Sequence, residues 1–215
     1  MVYEPPNLEI DSRLQPLSAY LKEEKSMKRF KTVFPVLAAA VVAAGIAMAP
    51  AHAQQSDPNN TIYLETKSGR VTIQLLPNLA PKHVAQIKTL TKQGFYNGIV
   101  FHRVIPGFMA QTGDPTGTGM GGSKLPNLPA EFTNYRYKRG TVGMARSQNP
   151  NSANSQFFIC FDNSGCAGLT GQYTVWGQVT AGMEHIDKVK TGAPGSGTVT
   201  NPDKIVRMYM PRGAK

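Results

Sequence analysis

Near its middle, the 215-residue chain reads Phe101-His102-Arg103-Val104-Ile105-Pro106-Gly107-Phe108-Met109-Ala110-Gln111. This stretch places one permanent cation, Arg103, among large apolar side chains, and an amide, Gln111, follows them. A guanidinium stays protonated at working pH and offers only hydrogen-bond donors. The ordinary alternative is a surface charge, but the apolar neighbours favour a functional role. The pattern predicts an apolar slot with a fixed donor on its wall, which suits the stabilisation of a developing lone pair.

Short strand-like segments lie on both sides of this stretch. Residues 62–66 and 70–75 are rich in β-forming side chains and flank Lys67-Ser68-Gly69, which predicts a hairpin. Helices are predicted at 81–93, which starts at a proline and precedes a glycine, and at 182–190. Further strands are predicted at 100–104, 107–112, 141–145, 156–160, 173–179 and 204–210. Many short strands with only two helices indicate an all-β barrel or sandwich.

Residues 27–53 have the pattern of a secretory signal peptide. Basic residues at 28–31 precede an apolar run at 33–48, and Ala51-His52-Ala53 provides a small-x-small cleavage site. We expect cleavage after Ala53. The alternative is an uncleaved membrane anchor, but the apolar run is rich in alanine and lacks the Leu and Ile density of a good span.

The segments on either side of the predicted signal peptide are polar. Residues 1–26 have no signal character and are either a misplaced start, with the true start at Met27, or a cytoplasmic tail ahead of an anchor. Residues 54–60 contain Pro58 and are predicted to be a flexible leader. One domain is expected over 61–211.

The basic charge does not by itself indicate a nucleic-acid partner. The chain has 23 Lys and Arg against 13 Asp and Glu, a formal net charge of +10, but these charges are scattered. A nucleic-acid surface needs a basic stripe interleaved with aromatic side chains. Only residues 135–139 resemble one locally, and they are expected to be an exposed loop or strand end. No nucleic-acid binding is therefore expected.

The sequence lacks the catalytic motifs of several enzyme classes. There is no G-x-S-x-G motif, the cysteines do not form C-x-x-C, and the carboxylates of the expected mature chain, 54–215, form no close pair in sequence. His83, His102 and His185 have no metal-ligand spacing, so no metal is expected. Residues 117–122 match G-x-G-x-x-G formally, but no strand precedes them and no helix follows, so no dinucleotide is expected.

Cys160 and Cys166 leave two possibilities open. In an exported protein disulfides persist, and a bridge between them is one outcome. The other is that Cys160 is a buried strand residue and Cys166 a free thiol in a loop. Geometry decides between them, and sequence does not show it.

The central stretch and three later segments resemble the cyclophilin family of peptidyl-prolyl cis-trans isomerases. The later segments are Gly143-Met144-Ala145-Arg146, Asn151-Ser152-Ala153-Asn154-Ser155-Gln156-Phe157-Phe158-Ile159 and Leu169-Thr170-Gly171-Gln172-Tyr173-Thr174-Val175-Trp176-Gly177. The resemblance also includes Gly113-Asp114-Pro115 and covers nearly all of 60–210 in the same order. It implies a closed eight-stranded antiparallel β-barrel capped by two α-helices, and a prolyl isomerase that needs no cofactor.

The resemblance also assigns roles to individual residues. The family's catalytic arginine falls on Arg103, and Gln111 is the second catalytic residue, which orients the substrate carbonyl. The residues assigned to substrate binding are Phe108, Met109, Phe158 and Leu169 in the proline pocket, Gln156 on the substrate backbone, Ala145, Arg146 and Ser147 in a neighbouring groove, and Tyr173 at the pocket rim.

Two positions depart from the family pattern. Where many members have a tryptophan at the pocket rim, this chain has Gly168, and where the pocket often has a histidine it has Tyr173. Because the tryptophan contributes to cyclosporin binding in the family, we expect weak inhibition by that drug. Proline turnover should survive. Nanomolar potency in an inhibition titration would contradict the expectation.

The expected function follows from these assignments. The chain is expected to be an exported prolyl isomerase that assists the folding of envelope or secreted proteins and acts on proline-containing unfolded or flexible polypeptides. The alternative is a non-catalytic chaperone of the same fold that binds proline segments. The protein is expected to be a monomer, periplasmic or secreted, with no stable membrane association once the signal is cleaved. An inner-membrane anchor facing the periplasm is the alternative location.

Overall fold

A computed structural model describes residues 57–214 of the chain. The predicted tail at 1–26, the predicted signal peptide at 27–53 and residues 54–56 of the predicted leader lie outside the described part. The end of that leader, Pro58–Asn60, forms a short 3-10 turn, and the Asp57 carboxylate accepts a hydrogen bond from the Asn59 amide at 2.9 Å. Within 57–214, no helix is both long and apolar enough to cross a membrane.

Eight strands and two α-helices make up the described part. In chain order they are β1 (Thr61–Thr66), β2 (Gly69–Leu75), α1 (Pro81–Lys92), β3 (Arg103–Ile105), β4 (Met109–Thr112), β5 (Thr141–Met144), β6 (Phe157–Cys160), β7 (Val175–Ala181), α2 (Met183–Ile186) and β8 (Arg207–Tyr209). The predicted hairpin and first helix are confirmed. The second helix is shorter than predicted and ends at Ile186, because the Val189 amide donates to the Ile186 carbonyl at 3.0 Å in a tighter turn and the Lys190 amide donates to the Asp203 carboxylate at 2.9 Å.

The eight strands form one antiparallel sheet in the order β3-β4-β6-β5-β7-β2-β1-β8. The prediction of a closed barrel is wrong, because the two edge strands, β3 and β8, do not form a ladder. The seam between them holds only isolated bridges, Val100 with Lys204 and Arg103 with Thr198. Residues 187–206 are irregular along this seam and contain Pro194 and Pro202, which cannot donate to a ladder. The sheet is therefore a half-barrel.

The concave face of the sheet holds the main core. Strands β1 and β2 alternate, so Ile62, Leu64, Val71, Ile73 and Leu75 point inward and are buried. Helix α1 covers this face with side chains spaced three apart, Val84, Ile87 and Leu90. The fully buried Trp176 contacts Phe157 edge to face at 5.4 Å. Burial of this apolar surface stabilises the curved sheet. Strands β3, β4, β5 and β6 also have a second face, on the side opposite this core.

Helix α1 has no capping side chain of its own at its N-terminus. The Glu131 carboxylate, from a distant loop, accepts hydrogen bonds from the amides of Lys82 at 3.1 Å and His83 at 3.0 Å. The same carboxylate lies 2.6 Å from Nδ1 of the buried His83. An anion at this end of a helix is stabilised by the unpaired amides and by the helix dipole. Glu131 therefore fixes α1 to the loop that precedes β5.

Candidate functional site

Four neighbouring strands place one row of residues across the sheet. Arg103 on β3 is opposite Gln111 on β4, Gln111 is opposite Phe158 on β6, and Phe158 is opposite Gly143 on β5. Directly opposed residues on antiparallel strands project to the same face. The row therefore brings a cation, an amide and an aromatic ring together, although they are far apart in sequence.

Arg103 is half-buried, and neighbouring residues accept hydrogen bonds from only two of its three guanidinium nitrogens. Its Nε donates to the Ser196 carbonyl at 3.1 Å, and its Nη1 donates to Gln111 Oε1 at 3.4 Å. These two bonds hold the guanidinium plane in place. The remaining terminal nitrogen, Nη2, makes no hydrogen bond among the described residues and remains available as a donor.

A chain of amides continues from Arg103 into the loop after β4. Gln111 Nε2 donates to Gln156 Oε1 at 3.0 Å, and Gln156 Nε2 donates to the carbonyls of Gly119 at 3.0 Å and Gly121 at 2.8 Å. Each amide nitrogen has an acceptor, so each amide oxygen has a defined direction. The orientation of Gln111 toward Arg103 is thus set by the loop.

The loop itself is organised around Asp114, a residue with no role predicted from the sequence. This carboxylate is 1% exposed and accepts hydrogen bonds from the amides of Thr116 at 2.8 Å, Gly119 at 2.6 Å and Gly121 at 3.1 Å. The Thr116 hydroxyl also donates to it at 2.8 Å. Burial raises the pKa of Asp114, but the bonds outweigh it and the pKa falls to about 2. Asp114 therefore acts as a buried anion that holds the loop.

An apolar slot of about 130 Å³ opens beside this row. Its floor is buried, with Met109 2% exposed and Phe158 4% exposed. Nine of the eleven predicted site residues line it: Arg103, Phe108, Met109, Gln111, Ala145, Arg146, Phe158, Leu169 and Tyr173. The structure thus brings together residues from β3, β4 and β6, from the turn after β5 and from the loop before β7.

The Phe158 ring is held from two sides. It stacks on Tyr137 with ring centroids 5.8 Å apart and meets Tyr173 edge to face at 5.7 Å. A Cβ at Gly143 would collide with the Tyr137 hydroxyl and the Phe158 ring. The expectation that 135–139 is simply an exposed loop or strand end is wrong at Tyr137, which is fully buried and whose hydroxyl donates to the Tyr173 carbonyl at 3.3 Å. Sequence pattern gave no signal for this contact.

The other two predicted site residues, Ser147 and Gln156, line a larger groove of about 490 Å³. Gln111, Ala145 and Arg146 line both cavities, so the groove and the slot adjoin. Among residues 57–214, no carboxylate lines either cavity. The two cavities together make a cleft whose only charged lining side chains among residues 57–214 are two arginines, which fits an extended peptide with one apolar ring buried.

His102 lies next to Arg103 in sequence but does not line the slot. It is buried, and burial is the main cause that lowers its pKa, with the Arg103 charge acting in the same direction. Its ring nitrogens make no hydrogen bond among the described residues. Neutral His102 therefore packs behind the site. No group of three or more His, Cys, Asp or Glu side chains in 57–214 is arranged to hold a metal ion.

A disulfide joins Cys160, at the end of β6, to Cys166, which settles the open question about these residues. Cys166 is buried and immediately precedes the 3-10 turn Ala167–Leu169. Leu169 is part of the slot wall. The disulfide therefore fastens one end of this wall to the strand that carries Phe158.

We expect reduction of this disulfide to destabilise the protein by about 2–3 kcal/mol, the entropy of closing a short loop in the unfolded chain. Urea unfolding followed by the fluorescence of Trp176, with and without dithiothreitol, measures the shift. The double variant Cys160→Ser/Cys166→Ser is the control and should no longer respond to the reductant. An unchanged midpoint on reduction would show that the bridge contributes nothing to stability.

Comparisons with known proteins agree on one family. The family model "Cyclophilin type peptidyl-prolyl cis-trans isomerase/CLD" matches residues 61–210. A probable peptidyl-prolyl cis-trans isomerase of Brucella suis is 56% identical over 182 residues, covering 79% of this chain and 91% of the relative. A peptidyl-prolyl cis-trans isomerase of Helicobacter pylori is 41% identical over 133 residues, covering 60% of this chain and 79% of the relative.

Solved structures are similar over the same region. The cyclophilin AquaCyp293 of Hirschia baltica has a TM-score of 0.63 at 30% identity, covering 72% of this chain and 74% of the other. A cyclophilin-type isomerase of Cryptosporidium parvum, crystallised in the presence of the dipeptide Ala-Pro, has a TM-score of 0.64 at 29% identity, covering 70% of this chain and 98% of the other. With the family model, these likenesses show that the chain belongs to the cyclophilin-type peptidyl-prolyl cis-trans isomerases and is an enzyme of that class.

Proposed function

We propose that this isomerase is exported and that Arg103 accelerates rotation about X–Pro bonds by donating a hydrogen bond to the proline nitrogen. The observation that carries the proposal is the geometry of Arg103, whose Nη2 has no partner among the described residues while its other nitrogens are anchored beside an apolar slot. A pyrrolidine ring has the apolar character that the slot requires. The slot thus seats the ring within reach of a permanent cation.

The chemistry explains why a donor is useful there. Rotation about an amide bond breaks its conjugation, with a barrier of about 18–20 kcal/mol. In the twisted state the proline nitrogen regains its lone pair, so a donor aimed at that nitrogen binds the twisted state better than either planar state. Rotation makes and breaks no σ bond, so it needs no base, metal or cofactor.

The other site residues have roles that fit the same step. Gln111 Nε2 donates one hydrogen to Gln156, and in this proposal its second hydrogen is donated to the carbonyl that precedes proline and holds it while the ring side turns. Phe108, Met109, Phe158, Leu169 and Tyr173 enclose the ring, and Ala145, Arg146 and Ser147 border the path of the flanking peptide. Holding the peptide in one orientation supplies part of the rate enhancement beyond that of Arg103.

Two features support export. The signal-like pattern at 27–53 precedes the family domain. The Cys160–Cys166 disulfide is of a kind that persists in oxidising compartments and is rare in the cytosol. The clients proposed are therefore proline-containing chains that fold after export, in the periplasm or outside the cell.

The test is an isomerase assay on the protein isolated from fractionated cells, with mass spectrometry of its N-terminus. We expect rapid turnover of a proline peptide by a soluble periplasmic form that begins after Ala53. Recovery in the membrane fraction with 27–53 intact would overturn cleavage in favour of an anchor. Binding of proline peptides without turnover would support the chaperone alternative.

A further inference from the structure

Arg146 is predicted to bind substrate, but its guanidinium is already hydrogen-bonded to the protein main chain. Nε and Nη2 donate to the Gln172 carbonyl at 3.2 and 3.0 Å. Nη1 donates to the carbonyls of Ser147 at 2.9 Å and Gln148 at 3.4 Å. Every one of these acceptors is main chain. Arg146 therefore joins the turn after β5 to the loop that precedes β7.

The face of the same guanidinium contacts the rim of the slot. Its central carbon lies 4.5 Å from the centroid of the Tyr173 ring and 5.8 Å from that of Phe132. These distances are within the range of a cation–π interaction. The planar group thus holds the Tyr173 ring through its face and the adjoining backbone through its edge, a combination that only arginine offers.

Hydrogen bonds with Leu169 and Tyr137 hold the backbone of Tyr173, but they do not hold its ring. Its ring touches Phe158 edge to face at 5.7 Å from within the slot. In the preceding loop, Gly168 and Gly171 have nothing within 4 Å of where a side chain would begin. The disulfide fastens this loop at Cys166, its far end. The Tyr173 ring is therefore held by Phe158 on the inner side and by the guanidinium of Arg146 over its face.

We propose that Arg146 is a positioning residue, which clamps Tyr173 as the outer wall of the proline slot and so sets how tightly the ring is held. The proposal rests on the proposed function, in which the slot takes the proline ring. Arg146 acts through Tyr173 and not on the twisting bond. Loss of Arg146 weakens the binding of the planar and the twisted states of the peptide alike, because Tyr173 contacts the proline ring in both states. Arg103 still supplies the hydrogen bond to the proline nitrogen.

The expected signature is a rise in KM with little change in kcat. Arg146→Lys keeps the charge but loses the fork and the flat face, and Arg146→Met keeps only the apolar stem. We expect both to raise KM for an Ala-Pro peptide about fivefold, the size of a partly exposed cation–π contact, and to leave kcat within about twofold. With Tyr173→Ala, Arg146→Met should add little further, because the two changes remove the same contact.

Arg139→Lys is the matched control, because Arg139 also holds a carbonyl and makes a bidentate ion pair, with Asp187, away from the slot. It should leave KM unchanged. Thermal unfolding checks that every variant is folded.

Wild-type KM in both Arg146 variants would overturn the proposal, and so would full additivity with Tyr173→Ala. A fall in kcat as large as that of Arg103→Ala would place Arg146 on the reacting bond instead. Absence of turnover in the wild type would count against the proposed function and not against this inference alone.

Discussion

We expect Arg103→Ala to lower kcat/KM by on the order of a hundredfold and to leave the protein folded. A hydrogen bond from a charged donor contributes about 1.5–3 kcal/mol, and each 1.36 kcal/mol in the barrier is about tenfold in rate. The hydrogen bond from Arg103 Nε to the Ser196 carbonyl is at the edge of the site, so losing this bond should lower the free energy of unfolding only slightly. Kinetics of a proline peptide and thermal unfolding measure the two quantities on the same samples.

Two further variants interpret that result. Arg103→Lys should recover only part of the rate, because an ammonium cannot be anchored at Ser196 and Gln111 while another nitrogen still reaches the substrate. Arg136→Ala, which removes an exposed arginine, should have no effect. Equal rates for the wild type and Arg103→Ala would remove the catalytic role and leave the proline-binding chaperone as the better account.

We expect Asp114→Asn to destabilise the protein by about 2–3 kcal/mol at neutral pH, which is the free energy that corresponds to lowering a carboxyl pKa from its usual value to about 2. Because the folded-state pKa is depressed, this stability is fully present above about pH 4 and is lost as the pH falls toward 2. The variant should therefore show a flatter loss of stability over that range. Urea midpoints at intervals between pH 2 and pH 7 measure both effects.

The same substitution should also reduce activity several-fold. Asp114 holds the amides of Gly119 and Gly121, whose carbonyls accept from Gln156, and Gln156 in turn orients Gln111. Asp162→Asn is the control, since that carboxylate accepts from Ser164 and Gly165 in a turn at the surface. If stability fell between pH 4 and pH 2 as steeply in Asp114→Asn as in the wild type, the loop would not depend on the charge of Asp114.

Most of the site was predictable because its residue types are restricted by chemistry. A permanent cation beside Phe108 and Met109 indicated a slot with a donor, and the slot is lined by nine of the eleven residues that the motifs named. The hairpin of β1 and β2 was predictable from alternation, since a half-buried strand must repeat every second residue. These features are local, and local sequence carries them.

Other features depend on contacts between distant segments. Nothing near Tyr137 indicates that its ring stacks under Phe158, and nothing near Glu131 indicates that it caps α1. The closed barrel was expected from resemblance, but the irregular segment between β3 and β8 leaves the sheet open. Whether two edge strands pair depends on the path of the loop between them, and the hydrophobic periodicity of the sequence carries no information about that path.

The sequence by itself determined the strands, the family of motifs and the donor at Arg103, because burial patterns and the chemistry of a guanidinium are properties of single segments. Only the tertiary structure decided that Cys160 and Cys166 are bonded, that Asp114 orients Gln111 through Gln156, and that Arg146 holds Tyr173. The physical reason is that a hydrogen bond, a disulfide or a ring contact requires particular atoms within a few ångströms of each other. Residues separated by many positions reach that distance only when the sheet has brought their strands and loops together.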